Sequence, residues 1–271
     1  MAGIPYWWVN LENSEVTSEE RIRTCFSNGF NNITLGPLYL KSTDWHQLKQ
    51  LFYKSPVDIV AFDSFGPEYI FGPPDDFRIC TSNREKQEKA KAKILDALKI
   101  SLLFKSPYVS ICPTTNETDP MLGEDKLLDI VCRGIYELLK KSDGIFLLKN
   151  TYFDSVLNSP KSFELILEDL NSERLKCWID TGAACARELE GGQKVGEWLD
   201  ILYSHIHCVS IGDSSENENG IVPGTGCLDL QGLVSYLKLY KKKIPWIIEI
   251  NPELGWEGMV ACKEEIENLL L

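Results

Sequence analysis

Along the chain, short apolar runs bounded by turn residues alternate with longer segments whose apolar positions recur every three to four residues. The first pattern is that of buried parallel strands and the second that of amphipathic helices, so the alternation predicts repeated strand–helix units around a parallel sheet. The strand-like runs are residues 4–10, 32–36, 57–63, 108–112, 144–150, 175–181, 207–213 and 246–251. Eight such runs match the number that closes a barrel, and a length of 271 residues is close to the roughly 250 that one (β/α)8 barrel uses. The expected architecture is an α/β fold, a single (β/α)8 barrel domain over residues 1–271.

Helix signals separate the strands. Thr17-Ser18-Glu19-Glu20 supplies an N-cap and first-turn acids for a helix that stops near Asn28-Gly29. Further helices are expected over 42–53, 84–104, 123–141, 161–170, 195–204, 229–242 and 261–271. In the segment 84–104, Ala90, Ile94, Ala97, Leu98 and Leu102 fall near one face. Two connections are long. Residues 64–83 set Phe65, Tyr69, Phe71 and Phe77 among Gly66, Pro67, Gly72, Pro73 and Pro74. This reads as an ordered aromatic loop at the C-terminal end of the third strand, the end where barrels build their sites, either a pocket wall or lid or a structural plug. Residues 213–229, rich in Ser, Glu, Asn and Gly, read as the most mobile element.

Composition narrows the partners. A net charge of -12 and a pI near 4.8 oppose the attraction to phosphate backbones on which nucleic-acid binding rests. The basic runs 86–105 and 241–243 fall on expected helices with acids or apolar residues in or around them, and read as solvated faces. No run of about 18 apolar residues occurs, and residues 1–10 lack the pattern of a secretion signal, so the expectation is a cytoplasmic protein with no membrane partner. The nine cysteines form no C-x-x-C pair, and several sit inside apolar runs, which reads as buried reduced thiols.

Three segments of the second half carry a resemblance. They are Trp178-Ile179-Asp180-Thr181-Gly182, the loop Ile221-Val222-Pro223-Gly224-Thr225-Gly226-Cys227-Leu228-Asp229, and Pro245-Trp246-Ile247-Ile248-Glu249-Ile250. They resemble the sixth-strand Asp-Thr-Gly-His segment, the Pro-Gly-x-Gly-x-x-Asp loop and the last strand of the sugar phosphate isomerase/epimerase family, whose fold is the xylose-isomerase-like TIM barrel. Residues 84–103 leading into 107–111 look like its third helix and fourth strand. The resemblance implies a divalent metal at the barrel mouth, held by a glutamate from strand five, an aspartate from strand six, a histidine from strand seven and a glutamate from strand eight. Asp180 and Glu249 match. Lys149, in Leu148-Lys149-Asn150, stands at the strand-five position, Ser210 at the strand-seven position, and Ala183 where a histidine follows Asp-Thr-Gly.

Two carboxylates facing one low-dielectric cavity repel unless a cation lies between them. Lys149 can supply that cation on its four-carbon stem, and its ammonium would repel a divalent ion, so the expectation is a degenerate metal site with no resident metal or other cofactor. His205 and His207, an alternative source of a nitrogen ligand, come at the start of the seventh strand, where packing or surface roles are expected. His46 reads as an ordinary helix residue.

Gly224-Thr225-Gly226 has two readings: a tight turn with Asp229 capping the next helix, or a row of amides that holds a phosphate or carboxylate of the ligand. Arg78 is a second anion-binding candidate. Strand ends place Asn10, Glu12, Gly36, Asp63, Cys112, Thr114, Asn150, Asp213 and Asn251 at the mouth, with Trp7, Trp8, Trp246 and Trp256 nearby as pocket walls or core. The expected catalytic residues are Lys149, Asp180 and Glu249, and the expected substrate-binding residues Asn10, Asp63, Arg78, Asn150, Ser210, Asp213, Gly224 and Gly226.

The expected function is proton transfer on a small hydroxy-carbonyl metabolite, a sugar or sugar phosphate, through an enediolate. Glu249 would move the proton, Lys149 stabilise the oxyanion and Asp180 hold Lys149. The alternatives are a barrel without catalysis that binds a polar metabolite or a protein, and a Schiff-base mechanism at Lys149, which the neighbouring acids disfavour. The family's relatives that cut abasic DNA need several histidines at the mouth, and three histidines in a chain of this charge oppose that chemistry.

Overall fold

A computed structural model describes residues 2–5, 18–36, 45–54, 57–64, 77–113, 123–152, 157–239 and 244–271. Within them the strands are β1 (Ala2–Ile4), β2 (Asn32–Leu35), β3 (Asp58–Phe62), β4 (Tyr108–Ile111), β5 (Ile145–Lys149), β6 (Leu175–Asp180), β7 (Ile206–Ile211), β8 (Asp213–Ser214), β9 (Asn219–Ile221) and β10 (Trp246–Ile248). The helices are α1 (Ser18–Ser27), α2 (Trp45–Lys54), α3 (Arg84–Leu103), α4 (Glu124–Lys141), α5 (Pro160–Leu170), α6 (Thr181–Leu189), α7 (Val195–Leu202), α8 (Leu230–Leu239) and α9 (Gly255–Leu270). Eight strands close a parallel barrel in the order β1-β10-β7-β6-β5-β4-β3-β2, while β8 and β9 form a small antiparallel hairpin outside it.

Side chains two apart on a strand share a face, and that period sorts the barrel into an inside and an outside. Leu147, Trp178, Cys208 and Ile247 meet Val60 and Ala61 in one small buried cluster in the lumen. Their neighbours Phe146, Leu148, Cys177, Ile179 and Val209 belong to the much larger cluster shared with the helices. There Phe163 of α5 packs edge-on against Trp198 of α7, with centroids 5.1 Å apart. In β1 the lumen-side residue is Gly3, where a Cβ would stand 2.5 Å from Ile247 Cδ1. The missing side chain is what lets Ile247 fill the lumen.

Local chemistry sets the helix ends. Asn83 caps α3 by accepting from the Lys86 amide, and Ser159 caps α5 by accepting from the Ser162 amide, with Pro160 in the first turn. Asn171 ends α5 in the left-handed region at φ 38°. Lys91, almost fully buried on α3, ties that helix to α4 through Glu137 while also pairing with Glu88 at 2.6 Å.

Several boundaries differ from the sequence expectation. β1 starts at Ala2, and the rest of the expected 4–10 run lies largely outside the described residues. α9 starts at Gly255, ahead of the expected 261. α6 was not expected at all. Residues 213–229, expected to be mobile, fold into the β8–β9 hairpin and a turn packed around Asp213. Most of the aromatic connection 65–76 lies outside the described residues. None of the nine cysteines is in a disulfide, and eight are buried. Among the described residues no helix is long and apolar enough to cross a membrane.

Candidate functional site

Four strands deliver one charged cluster to the C-terminal end of the lumen. Lys149 ends β5 and is 2% exposed; its Nζ lies 2.9 Å from Asp63 Oδ2, 3.4 Å from Glu249 Oε2 and 4.0 Å from Asp180 Oδ2. Asp63 directly follows β3, Asp180 ends β6, and Glu249 directly follows β10. Beneath the ammonium is the Trp178 ring, with Nζ 4.5 Å from its centroid, a cation–π contact. Trp178 is in turn fixed by its indole N–H, which donates to Ser210 Oγ at 2.8 Å.

Each carboxylate is held differently. Asp63 accepts from Ser110 Oγ at 3.0 Å, and Ser110 is itself linked to Ser64, whose amide donates to Ser110 Oγ at 2.8 Å. Asp180 uses Oδ1 to cap α6 through the Ala183 amide at 3.0 Å. Glu249 is the most open, 17% exposed against 3% for Asp63 and 4% for Asp180. Among the described residues the closest acid to Lys149 is Asp63, expected to bind substrate, rather than Asp180, expected to hold the lysine.

Electrostatics follow from this packing. Burial alone would lower the Lys149 pKa, but Asp63, Glu249 and Asp180 together outweigh it and raise the pKa, keeping the side chain an ammonium. That disfavours the Schiff-base route, which needs the free amine. Asp180 is pushed up to about 7, first by burial and then by Glu249, with Lys149 pulling the other way. A proton on Asp180 eases the repulsion among the three acids.

The remaining expected residues divide. Asn150 is a backbone clamp on Asp180, donating to its carbonyl at 2.8 Å and accepting from its amide at 2.7 Å. Asp213 is buried, with Oδ2 accepting from the amides of Gly224 at 2.9 Å and Gly226 at 2.8 Å, and Oδ1 from those of Ser214 and Leu228. The glycine-loop amides thus already have an anion, the protein's own carboxylate. Asp229 accepts from the Gly232 amide at the start of α8, the cap expected of it. Arg78 is half-buried and engaged in an interaction of its own. Asn10, Glu12, Thr114, Trp7 and Trp8 lie outside the described residues. Trp246 is buried in the outer core, and Trp256 packs near Phe30 at 6.5 Å, so both serve the core.

His207 sits at the other end of the lumen, stacked on Tyr108 at 3.9 Å. It lines two small cavities of about 160 and 190 Å³ with residues that begin the strands. Burial, and then Lys176, lowers its pKa to about 4. Among the described residues, no group of three or more His, Cys, Asp or Glu is arranged to hold a metal ion.

Sequence reasoning missed Ser110, the role of Trp178 as the floor under Lys149, and Tyr152. The Trp178 signal was available, since it lies two residues before Asp180 and so shares its face. Tyr152 lies beyond the end of β5, where alternation no longer applies. Its Oη shares a corner with Asp180 Oδ1, the two lying 2.7 and 3.4 Å from where a Cβ on Gly182 would stand, and its pKa is raised well above that of an ordinary tyrosine by burial, then by Asp180 and Glu249.

The family model described as xylose isomerase-like TIM barrel matches residues 22–267. No curated protein sequence matches the chain. Among solved structures, a D-tagatose 3-epimerase-like protein superposes with a TM-score of 0.79 at 19% identity, covering 99% of this chain and 96% of its own. D-Psicose 3-epimerase from Clostridium cellulolyticum H10 gives 0.77 at 14% identity, covering 99% of both chains. The IolI protein with a binding zinc atom gives 0.74 at 14% identity, covering 99% of this chain and 97% of its own. At these identities the likeness shows the fold.

Proposed function

The chain belongs to the family of xylose isomerase-like TIM barrels, and we propose that it is an isomerase or epimerase of a small, unphosphorylated hydroxy-carbonyl compound that works without a resident metal ion. One observation carries the reading: the Lys149 ammonium, 2.9 Å from Asp63 and 3.4 Å from Glu249, occupies the centre of the acid cluster. The divalent metal implied by the family resemblance does not fit this set of residues. Its strand-five position is filled by a cation, and Ser210 Oγ already accepts from the Trp178 indole. An ion bound to Asp180 and Glu249 would be in contact with an ammonium of like charge.

In the proposed reaction Glu249, the most open carboxylate, removes the proton from the carbon next to the substrate carbonyl. The electron pair moves onto the carbonyl oxygen, and the Lys149 ammonium stabilises the resulting enediolate. Return of the proton by Glu249 to the neighbouring carbon, with the hydroxyl proton passing between the two oxygens, moves the carbonyl. Inversion of the first carbon instead takes a new proton from solvent on the opposite face, while Glu249 keeps the one it removed. Asp63, oriented by Ser110, fixes the ammonium.

Two features support an unphosphorylated substrate. The amides of Gly224 and Gly226 are taken by Asp213. Among the described residues, the strand ends carry the acids Asp63, Asp180, Asp213 and Glu249 against the ammonium of Lys149. An electronegative face of this kind repels a phosphate dianion.

The test is proton exchange in deuterated water across a panel of unphosphorylated ketoses and aldoses. Deuterium is expected at the carbon next to the carbonyl, unchanged by chelator and lost in Glu249→Gln. Silence across the whole panel refutes the activity, and chelator sensitivity refutes the metal-free mechanism. The 2% exposure of Lys149 favours one other reading, in which the ion cluster plugs the mouth of a barrel that only binds a polar metabolite. That reading predicts binding without exchange.

A further inference from the structure

We propose that the Tyr152 hydroxyl is a substrate-contacting hydrogen-bond donor of this site, the neutral counterpart of the Lys149 ammonium. The inference rests on the proposed sugar reaction and adds a residue to it. Tyr152 follows β5 three residues after Lys149, and the chain leading to it is fixed at two points. Asn150 clamps the Asp180 backbone. Asn158 clamps Thr151, accepting from its amide at 3.2 Å and donating to its carbonyl at 2.6 Å. The ring that follows is therefore presented from an ordered segment, not from a free loop end.

Gly182 makes room for the hydroxyl. A Cβ at Gly182 would stand 2.7 Å from Tyr152 Oη and 3.4 Å from Asp180 Oδ1. Any side chain at this position would collide with the phenol, so the glycine at the start of α6 admits the hydroxyl to the same corner as the Asp180 carboxylate. Once there, Oη has no hydrogen-bond partner among the described residues. The residue is half-buried and its Oη is not closed off from solvent, so the O–H is left to bond water or a ligand.

A donor held in this place suits a polyhydroxy substrate. The cluster carries three acids and one ammonium, so acceptors are plentiful and donors scarce. A neutral O–H adds a donor without adding charge, and it binds an oxygen of the sugar most strongly once that oxygen gains charge in the enediolate. Burial, and then the carboxylates of Asp180 and Glu249, keep the proton on the phenol.

The test compares wild-type protein with Tyr152→Phe, which removes only Oη, and with Gly182→Ala, which drives the phenol from its seat. Melting temperatures of the three proteins establish that the variants fold. Deuterium exchange and binding are then measured with the same unphosphorylated ketose, the one that wild type turns over fastest or, if none turns over, binds most tightly. The expected result is a 10- to 1,000-fold lower exchange rate in Tyr152→Phe, mostly in kcat, with a similar loss in Gly182→Ala. Wild-type exchange with an unaffected Tyr152→Phe overturns this inference and leaves the proposed activity standing. Binding without exchange, weakened at least tenfold in Tyr152→Phe, refutes the activity and keeps Tyr152 as a ligand contact. Unaltered binding there overturns the inference, and a wild-type protein that neither exchanges nor binds any sugar of the panel overturns both.

Discussion

Asn150 and Asp180, thirty residues apart, exchange both backbone hydrogen bonds of Asp180 with one side-chain amide, at 2.8 and 2.7 Å. The pair joins the ends of β5 and β6, so the spacing of Lys149 and Asp180 depends on an asparagine that carries no charge. Replacing it by alanine leaves a buried N–H and C=O unpaired, at about 1–3 kcal/mol for each group. Asn150→Ala is expected to lower the urea midpoint with an unchanged slope of the unfolding free energy. It should also reduce exchange activity, because Asp180 loses its fixed position. A midpoint equal to wild type would remove the clamp from this account.

Lys149 should be costly to remove and informative to reverse. Lys149→Met leaves the buried Asp63 and Asp180 and the more open Glu249 without a cation, a loss of about 3–5 kcal/mol at neutral pH. Part of that loss should return on acidification as the acids protonate. Lys149→Glu instead puts a carboxylate where the family resemblance implies a metal ligand. Its melting temperature is expected to rise with Mn²⁺ concentration, while that of wild type stays constant. A manganese-dependent rise in wild type would refute the metal-free reading.

His207 gives the fold a defined acid sensitivity. Its folded pKa of about 4 lies below the ordinary 6.5, so between these values the unfolded chain binds the proton that the folded chain refuses. The associated stability is complete above about pH 6.5 and is lost as the pH falls through about 4, with an upper limit of about 3 kcal/mol. Urea unfolding at pH 7, 5.5 and 4 is expected to show a shallower acid slope in His207→Phe, which keeps a ring against Tyr108 but cannot titrate. Parallel slopes in the two proteins would count against it.

The barrel was legible because its strands are apolar on both faces and bounded by turn residues, a signal that survives without any tertiary knowledge. β1 was shifted because Ala2-Gly3-Ile4 contains a glycine that sequence rules score against a strand. Its value appears only once Ile247 is seen occupying the space. α6 was missed because Asp180 was read as a charge and not also as the cap that starts a helix through Ala183. At the site, position at strand ends brought out Lys149, Asp180 and Glu249. Choosing between Asp63 and Asp180 as the partner of the ammonium needs a difference of about an ångström, 2.9 against 4.0 Å. The pairing of Asp213 with amides 11 and 13 residues further on depends on how a turn closes, and no local pattern announces that.

The cluster around Lys149 draws its members from both halves of the chain: Asp63 from the first, Lys149 and Asp180 from the middle, and Glu249 from the end. A half-barrel made by cutting the chain between β4 and β5 would leave Asp63 without its cation, and the complementary fragment would keep only the more distant and the more solvated of its acids. Each piece alone would be strained at its centre, and mixing the two would return Asp63 to its ammonium. Assembly of the barrel and assembly of its chemistry are in this sense one event.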